Sequence, residues 1–355
     1  MRPSDIPQDF GRILFVGQFM GHNVWRFNAF RTIGVECQYF DQRRFFDETR
    51  WTRPLDKLEF KAKRGIRIRM WNRTLLRKFR EYRPAVVWID KGLFVYPETV
   101  QVMRDDGAFV VHCLHDDFRY RLYQRTPFER AIPLYHLHLV TRPSNLEELP
   151  HWGAAATEKF LFSFEPSVHR PIPTPGEVDP FGADVVFVGH YEPGREQEVC
   201  WAVASGARVG VWGPFWPIAG RRALRREGVS ADTVRGPGLW DEDYARVFFG
   251  GRIALGLLSR WMRDTHTCRT MEIPACGGLL LAERTEEHLY LFDEGREAVF
   301  FEGKDELLDR INYLLSRPNE RSAIADAGRR RCARSGYDHV SEARRHLARI
   351  GTVML

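Results

Sequence analysis

The feature that most constrains this chain is a short apolar run closed by glycine, and it occurs twice, as Ile13-Leu-Phe-Val-Gly17 and as Val185-Val-Phe-Val-Gly189. Four uncharged β-branched or bulky residues in succession cannot alternate between a core and water. Such a strand needs cover on both faces, as in a parallel sheet flanked by helices. The first run is followed by a helical stretch through Phe27 to Thr32 and a strand at Val35 to Phe40, a βαβ beginning. Ala85–Asp90, Phe109–Leu114 and His136–Thr141 continue the series, and Ser144 to His151 reads as a helix capped by Ser144. After the second run come a helix at Gln197 to Ser205 and strands at Arg208–Gly213, Arg252–Leu257 and Leu279–Ala282. Between Glu165 and Ala183 stand Pro166, Pro171, Pro173, Pro175 and Pro180, a linker composition. The expected organisation is an N-terminal domain over residues 1–172, a linker at 173–182 and a C-terminal domain at 183–338. Helical periodicity at 304–315, 319–335 and 340–350 closes the chain, and a last helix at 339–355 is placed to cross back to the first domain. Two doubly wound α/β domains of this kind hold ligands at the carboxyl ends of their strands, in a cleft where the two face each other.

Composition narrows the class. The 355 residues are 44% apolar and 28% charged, values that exclude disordered, collagenous and coiled-coil chains. No stretch approaches the ~18 uncharged apolar residues of a membrane span. The first strand is preceded by Arg2, Asp5 and Asp9 rather than by a signal peptide, so a cytoplasmic location is expected. The cysteines at 37, 113, 200, 268, 276 and 332 are scattered, without metal-ligand spacing, which suits free thiols and neither zinc nor disulfides.

The net charge of +6 is concentrated. Residues 42–83 hold fifteen Lys/Arg against five acids, a local +10, so the remainder is mildly acidic. Phe45, Phe46, Trp51, Phe60, Trp71, Phe79 and Tyr82 interleave with these charges. The mixture fits a basic surface lying on an anionic membrane or taking an acidic acceptor, with Arg64, Arg67, Arg69 and Trp71 at its centre. The alternative is a solvated helical pair whose aromatic residues face the core. Nucleic acid is disfavoured, since no helix-turn-helix, finger or RNP signature is present.

The stretch Arg269-Thr-Met-Glu272-Ile-Pro-Ala-Cys-Gly277-Gly278-Leu-Leu-Leu-Ala-Glu283 places an acid on a helix, glycines at the turn and a buried strand after them. A carboxylate there can accept two hydroxyl hydrogen bonds; alternatively it is a helix-start carboxylate satisfied by backbone amides. Residues 184–347 resemble the C-terminal domain of GT-B glycosyltransferases of the family 1/4 type. The resemblance is closest to the spore-maturation CgeB-like branch, whose arginine, acid and Ile-Pro-Ala-Cys-Gly-Gly stand here as Arg269 and Glu272 to Gly278. It implies the GT-B fold, with two Rossmann-like domains, and a nucleotide-sugar donor whose ribose is held by Glu272. The wider family has a second glutamate eight residues upstream, and here that place is Asp264, a shorter acid.

Other candidates gather at predicted strand ends. Gly189-His190 and the loop to Gly194-Arg195 let backbone amides approach a phosphate. The resemblance gives Arg195 and Arg269 the leaving nucleoside diphosphate, and gives Gly213-Pro-Phe-Trp216 and Arg235 to Leu239 the nucleobase. Each of these is otherwise an ordinary loop. In the first domain His22, after Gly17-Gln-Phe-Met-Gly21, is a base, a sugar contact or merely a loop residue. Asp90 and the Asp116-Asp117 pair end later strands. The pair resembles an acidic pair of the CgeB-like proteins and is read as an acceptor-orienting group or catalytic base, or else Asp116 caps the next helix.

The reading is thus a metal-independent, cofactor-free glycosyltransferase with a nucleotide sugar as co-substrate, leaning to retention as the motif resembles the retaining type. Its acceptor is an unidentified glycan, lipid-linked or protein species, and the basic surface suggests peripheral contact with the inner face of the membrane as a separate expectation. A GT-B-fold nucleotide-sugar epimerase and a non-catalytic nucleotide- or glycan-binding protein are the rivals.

Overall fold

A computed structural model describes residues 11–45, 58–59, 61–121, 123–124, 126–173 and 181–354, the side chains of Arg44 and Phe45 excepted. Arg2, Asp5 and Asp9, Phe46 to Lys57 and Phe60 of the basic window, and Pro175 and Pro180 of the proline-rich stretch lie outside the described residues.

The apolar runs form strands covered on both faces. Six pair in parallel in the first unit: β1 (Ile13–Gly17), β2 (Cys37–Asp41), β3 (Val86–Asp90), β4 (Phe109–Leu114), β5 (Leu137–Val140) and β6 (Thr157–Lys159), ordered β2-β1-β3-β4-β5-β6 among the described residues. Alternate residues of one strand enter different cores. Leu14 and Val16 meet one layer with Val87 and Ile89, while Ile13 and Phe15 meet the other with Val86 and Trp88. The first layer is closed by α3 (Ile66–Tyr82) and α4 (Pro97–Asp105), which follow α1 (His22–Thr32) and α2 (Gln42–Phe45). The second layer is closed by α1 and by the C-terminal helix His339–Met354, whose Ala343, Leu347 and Ile350 belong to the same core. By compactness this unit comprises the described residues up to Leu161, Trp261–Arg263, and those from His339 onward.

Among the described residues two further helices follow, α5 (Pro127–Ala131) and α6 (Pro143–Glu148). The second corrects the expected cap. Pro143 occupies the first turn, where its missing N–H costs nothing, and Arg142 takes the cap position. Ser144 is inside the helix, and its Oγ has no hydrogen-bond partner among the described residues.

The second unit, Phe162–Arg260 with Asp264–Asp338, repeats the plan. Strands β7 (Val185–Val188), β8 (Val209–Trp212), β9 (Val234–Gly236), β10 (Ile253–Gly256), β11 (Leu280–Glu283) and β12 (Val299–Phe301) form a parallel sheet ordered β12-β11-β10-β7-β8-β9. Helices α7 (Glu196–Ala204), α8 (Arg221–Arg226), α9 (Asp241–Gly250), α10 (Cys268–Ala275), α11 (Glu286–Leu291), α12 (Gly303–Ser316) and α13 (Pro318–Ser335) complete it. Val199 and Ala202 of α7 and Leu307, Ile311 and Leu314 of α12 cover one face of β7, β8, β10 and β11. In each sheet the chain winds outward both ways from its first strand. The order therefore reverses between β1 and β3 in one unit and between β7 and β10 in the other, the crevices where open α/β sheets bind ligands. Among the described residues, no helix is long and apolar enough to cross a membrane.

Candidate functional site

The β7/β10 crevice is built around glycines and two arginines. Gly213 follows β8 with φ +154°, and a Cβ there would stand 1.8 Å from the Gly189 carbonyl oxygen, so only glycine lets the two loops pack. A Cβ on Gly189 would meet the Phe187 ring at 2.7 Å and Nη1 of Arg269 at 3.1 Å, so this glycine leaves the space that the guanidinium fills. Arg195 spans the crevice, donating from Nη1 to the His190 carbonyl at 2.8 Å and from Nη2 to the Leu258 carbonyl at 2.9 Å. Arg269, in the first turn of α10, donates from Nη2 to the Leu257 carbonyl at 2.8 Å. The two guanidinium groups lie 5.7 Å and 5.4 Å from the centroid of the same Phe187 ring. Nε of each is buried and has no hydrogen-bond partner among the described residues. Burial and the neighbouring Arg269 charge push Arg195 down to about 10, although acids stand nearby. Two neighbouring like charges, Arg195 buried and Arg269 half-buried, each with an unmet donor, form a receptor for an anion.

Acids hold this pair in place. Glu192 lies 3.1 Å from Arg195 and accepts from the Ser259 hydroxyl at 2.8 Å and the Arg260 amide at 3.2 Å. Asp264 accepts from the Ser259 amide at 3.1 Å, so the shorter upstream acid fixes the loop after β10. Glu283, at the end of β11, accepts from the Leu258 amide at 2.6 Å, and burial pushes its carboxyl up to about 7. His190 is mostly exposed, 3.8 Å from Glu192. Glu192, Ser259, Glu283 and Tyr244 were not assigned roles from sequence. An acid inside a glycine-flanked loop and one closing a buried strand were the available signals.

Glu272 lies one turn into α10 and is 3% exposed. Its carboxylate is met by side chains. The Tyr244 hydroxyl of α9 donates to its Oε2, and Nε2 of His169 stands 3.5 Å from its Oε1. The Glu165 amide donates to Nδ1 of His169 at 2.9 Å, which leaves the ring hydrogen on Nε2, facing the carboxylate. Both oxygens are thus oriented by side chains, and Tyr244 occupies part of the surface a diol would use. Gly277 and Gly278 serve the turn from α10 into β11. The first has φ +84°, and a Cβ on the second would meet the Phe248 carbonyl at 2.7 Å.

The first unit's candidates are less uniform. His22 opens α1, with Nδ1 3.2 Å from Nε2 of His339. Asp90 ends β3 at the β1/β3 crevice. Its Oδ1 accepts from Arg26 at 3.1 Å and from the Trp88 indole at 3.3 Å, with His115 at 3.6 Å. Its Oδ2 is buried without a hydrogen-bond partner among the described residues. Burial opposes ionisation of Asp90, but His115 and Arg26 outweigh it and keep the carboxyl below its ordinary value. Cys113, His115 and Asp90 converge to within 4.8 Å, a set of metal-ligand type. The Arg26 guanidinium already supplies positive charge there, and burial raises the Cys113 thiol well above its ordinary value, so the set fits an ion poorly.

Asp116 is no helix cap, since the next helix, α5, begins only at Pro127. It pairs with Lys91 at 2.7 Å and accepts from the Tyr123 hydroxyl at 2.7 Å. Burial opposes ionisation, yet Lys91 holds its carboxyl down to about 2, which makes it a weak base. Asp117 is gripped through both oxygens by Arg263. Of the basic surface, Trp71 is 1% exposed in the core of the first unit and is withdrawn from any surface role. Arg64 and Arg69 are exposed and line a concavity of about 320 Å³ with Tyr96 and Arg130; Arg67 is half-buried.

Residues 195–348 match the model of the family described as Glycosyl transferase-like. No curated protein matches the sequence. Among solved structures, sucrose-phosphate synthase from Thermosynechococcus elongatus aligns over 97% of this chain and 99% of its own, with TM-score 0.68 and 12% identity. Anabaena HepE, solved with UDP and glucose, aligns over 96% and 100%, with TM-score 0.66 and 13% identity. A UDP-forming trehalose-phosphate synthase from Burkholderia xenovorans aligns over 98% and 100%, with TM-score 0.66 and 11% identity. The fold of this chain is GT-B.

Proposed function

We propose that this protein is a glycosyltransferase that takes a sugar from a nucleoside-diphosphate sugar, with the donor seated at the β7/β10 crevice. The observation that carries the reading is the pair of guanidinium groups on Arg195 and Arg269, each with a buried, unmet Nε donor, flanking glycine backbone at a switch point. The family match over residues 195–348 and the UDP complex of a structural neighbour support it. In this reading the glycosidic C1–O bond to the diphosphate breaks as the two guanidiniums take up the developing charge, the role a divalent ion otherwise fills. Transfer is then metal-independent and needs no cofactor beyond the donor. Glu272, oriented by Tyr244 and His169, accepts the ribose hydroxyls once the Tyr244 hydroxyl yields part of Oε2.

The CgeB-like motif argues for retention, with the acceptor oxygen bonding C1 and its proton passing to the leaving diphosphate. The first unit is proposed to bind the acceptor. The exposed Arg64 and Arg69 lie beside Ile66 (66% exposed) and Met70 (52% exposed), a combination suited to an anionic membrane on the cytoplasmic side. The test is a thermal-shift screen with UDP, GDP, ADP and TDP, followed by incubation with the matching nucleotide sugars. Slow release of nucleoside diphosphate is expected. Isomerised sugar nucleotide would favour an epimerase, and binding without turnover a non-catalytic protein.

A further inference from the structure

Trp261, Met262 and Arg263 follow β10 in sequence but pack with the first unit. Their anchoring is unusually firm. Arg263 grips Asp117 through Nε and Nη2 and donates from Nη1 to Glu148 at 2.7 Å, while Arg142 donates from Nε to the Met262 carbonyl at 2.6 Å. Arg263 also has φ +48°, a left-handed conformation that costs a non-glycine residue on the order of 1 kcal/mol, so the clamp sustains local strain. Yet Trp261, on the backbone turn that this clamp anchors, is 48% exposed. Fixing a large apolar ring in water gains the fold nothing, but it makes a binding platform.

Beside it is a concavity of about 440 Å³ lined by Asp117, Arg119, Tyr120, Arg121, Trp261 and Arg263. Its loop follows β4, at the ligand-binding end of the sheet. Two of its cations are weakly neutralised or not at all. The charge of Arg263 is met by Asp117 and Glu148, whereas Arg119 reaches Glu148 only at 3.8 Å. Arg121 lies 6.0 Å from the Tyr120 ring centroid and has no carboxylate partner among the described residues. Aromatic rings offer a face for stacking the C–H side of a pyranose, and guanidinium forks bind phosphate or carboxylate oxygens.

We propose that this concavity is an acceptor subsite for a saccharide carrying one acidic group, its ring stacked on Trp261 and its acid held by Arg119 and Arg121. The proposal rests on the transferase reading. The full chain is titrated calorimetrically with glucose 6-phosphate, glucuronic acid, glucose and inorganic phosphate, and so are Trp261→Ala, Trp261→Phe and the double variant Arg119→Ser/Arg121→Ser. At least one acidic sugar is expected to bind about tenfold or more tighter than glucose or phosphate, and which one tells phosphate from carboxylate. Trp261→Ala loses that preference over phosphate, Trp261→Phe keeps most of it, and the double variant binds acidic sugar no better than glucose. Equal binding of acidic and neutral sugars, of acidic sugar and phosphate, or by wild type and both kinds of variant would overturn the subsite. A nucleoside-diphosphate thermal shift in wild type and Trp261→Ala separates the two failures. A retained shift without acidic-sugar binding removes the subsite alone, and no shift with any nucleotide removes the transferase reading.

Discussion

Replacing Arg269 by Met separates a binding role from a structural one, because the two predict opposite readouts. The distances to the shared Phe187 ring bound the separation of the Arg195 and Arg269 guanidinium carbons at about 11 Å. At an effective dielectric constant of ~20 their repulsion is then at least ~1.5 kcal/mol. Met removes it and keeps contact with the ring, at the loss of one hydrogen bond to the Leu257 carbonyl and the cation–π contact, each about 1 kcal/mol. The ligand-free protein should therefore change by no more than about 1 kcal/mol, or roughly 2–4 °C in Tm for a unit of this size. Loss of a charge-assisted bond to diphosphate costs about 1.5–3 kcal/mol, a factor of roughly 10–150 in Kd. At ligand near 100 times the wild-type Kd, the wild type gains about 2.7 kcal/mol, and a variant weakened ~100-fold only ~0.4 kcal/mol. Differential scanning fluorimetry with and without the preferred nucleoside diphosphate reads both. A variant that melts much earlier alone yet keeps its full ligand shift would show that Arg269 braces the crevice and does not bind there.

Glu272→Ala is expected to lower kcat/KM for the donor tenfold or more, about 1.4 kcal/mol, and unchanged kinetics would remove Glu272 from the site. Acid should destabilise the fold. Burial pushes His115, His138 and His288 down to about 4, so between that value and the ordinary one the unfolded chain binds protons that the native state does not, and stability falls as pH falls. Each such histidine removes up to ~2 kcal/mol by pH 5; Glu283, raised by burial to about 7, works in the opposite sense and offsets about one of them. In urea denaturation across pH 5–7, His288→Gln should reduce the slope of stability against pH by about 1 kcal/mol per unit, and an unaltered slope would contradict the assignment. Arg64→Glu with Arg69→Glu should weaken binding to vesicles containing anionic lipid, and wild-type binding that is indifferent to salt would end the membrane proposal.

The fold was legible because its strongest signals are local. A run such as Val185 to Val188 carries its two-sided burial in its own composition, and glycine after it marks a turn wherever it falls. What escaped were strands of three residues. Thr157–Lys159, Val234–Gly236 and Val299–Phe301 sit at or beside sheet edges, where pairing with one finished neighbour suffices and no long apolar run is needed. The Ser144 cap failed for a similar reason. Serine is favoured at a cap, but proline at position 143 already fixes the backbone angle of a first helical residue.

The site divides along a different line. Arg195, Arg269 and Glu272 could be read because a resemblance places them and because the switch-point rule needs only strand order. Their partners could not, since Glu192 meets Ser259 across 67 residues and Tyr244 meets Glu272 across 28, pairings that only the closed sheet creates. Trp71 shows how helical periodicity decides between surface and core. Ile68, Trp71, Leu75, Phe79 and Tyr82 recur every three or four residues, the spacing of one helix face, and that face is buried. The arginines between them therefore occupy the opposite face. A surface concentrated in charge, with Trp71, Phe79 and Tyr82 turned into the core, binds through Coulomb attraction more than through insertion. Ile66 and Met70 supply apolar contact on this helix, so replacing those two by serine should cost less membrane affinity than reversing Arg64 and Arg69, and the opposite ranking would show that insertion dominates.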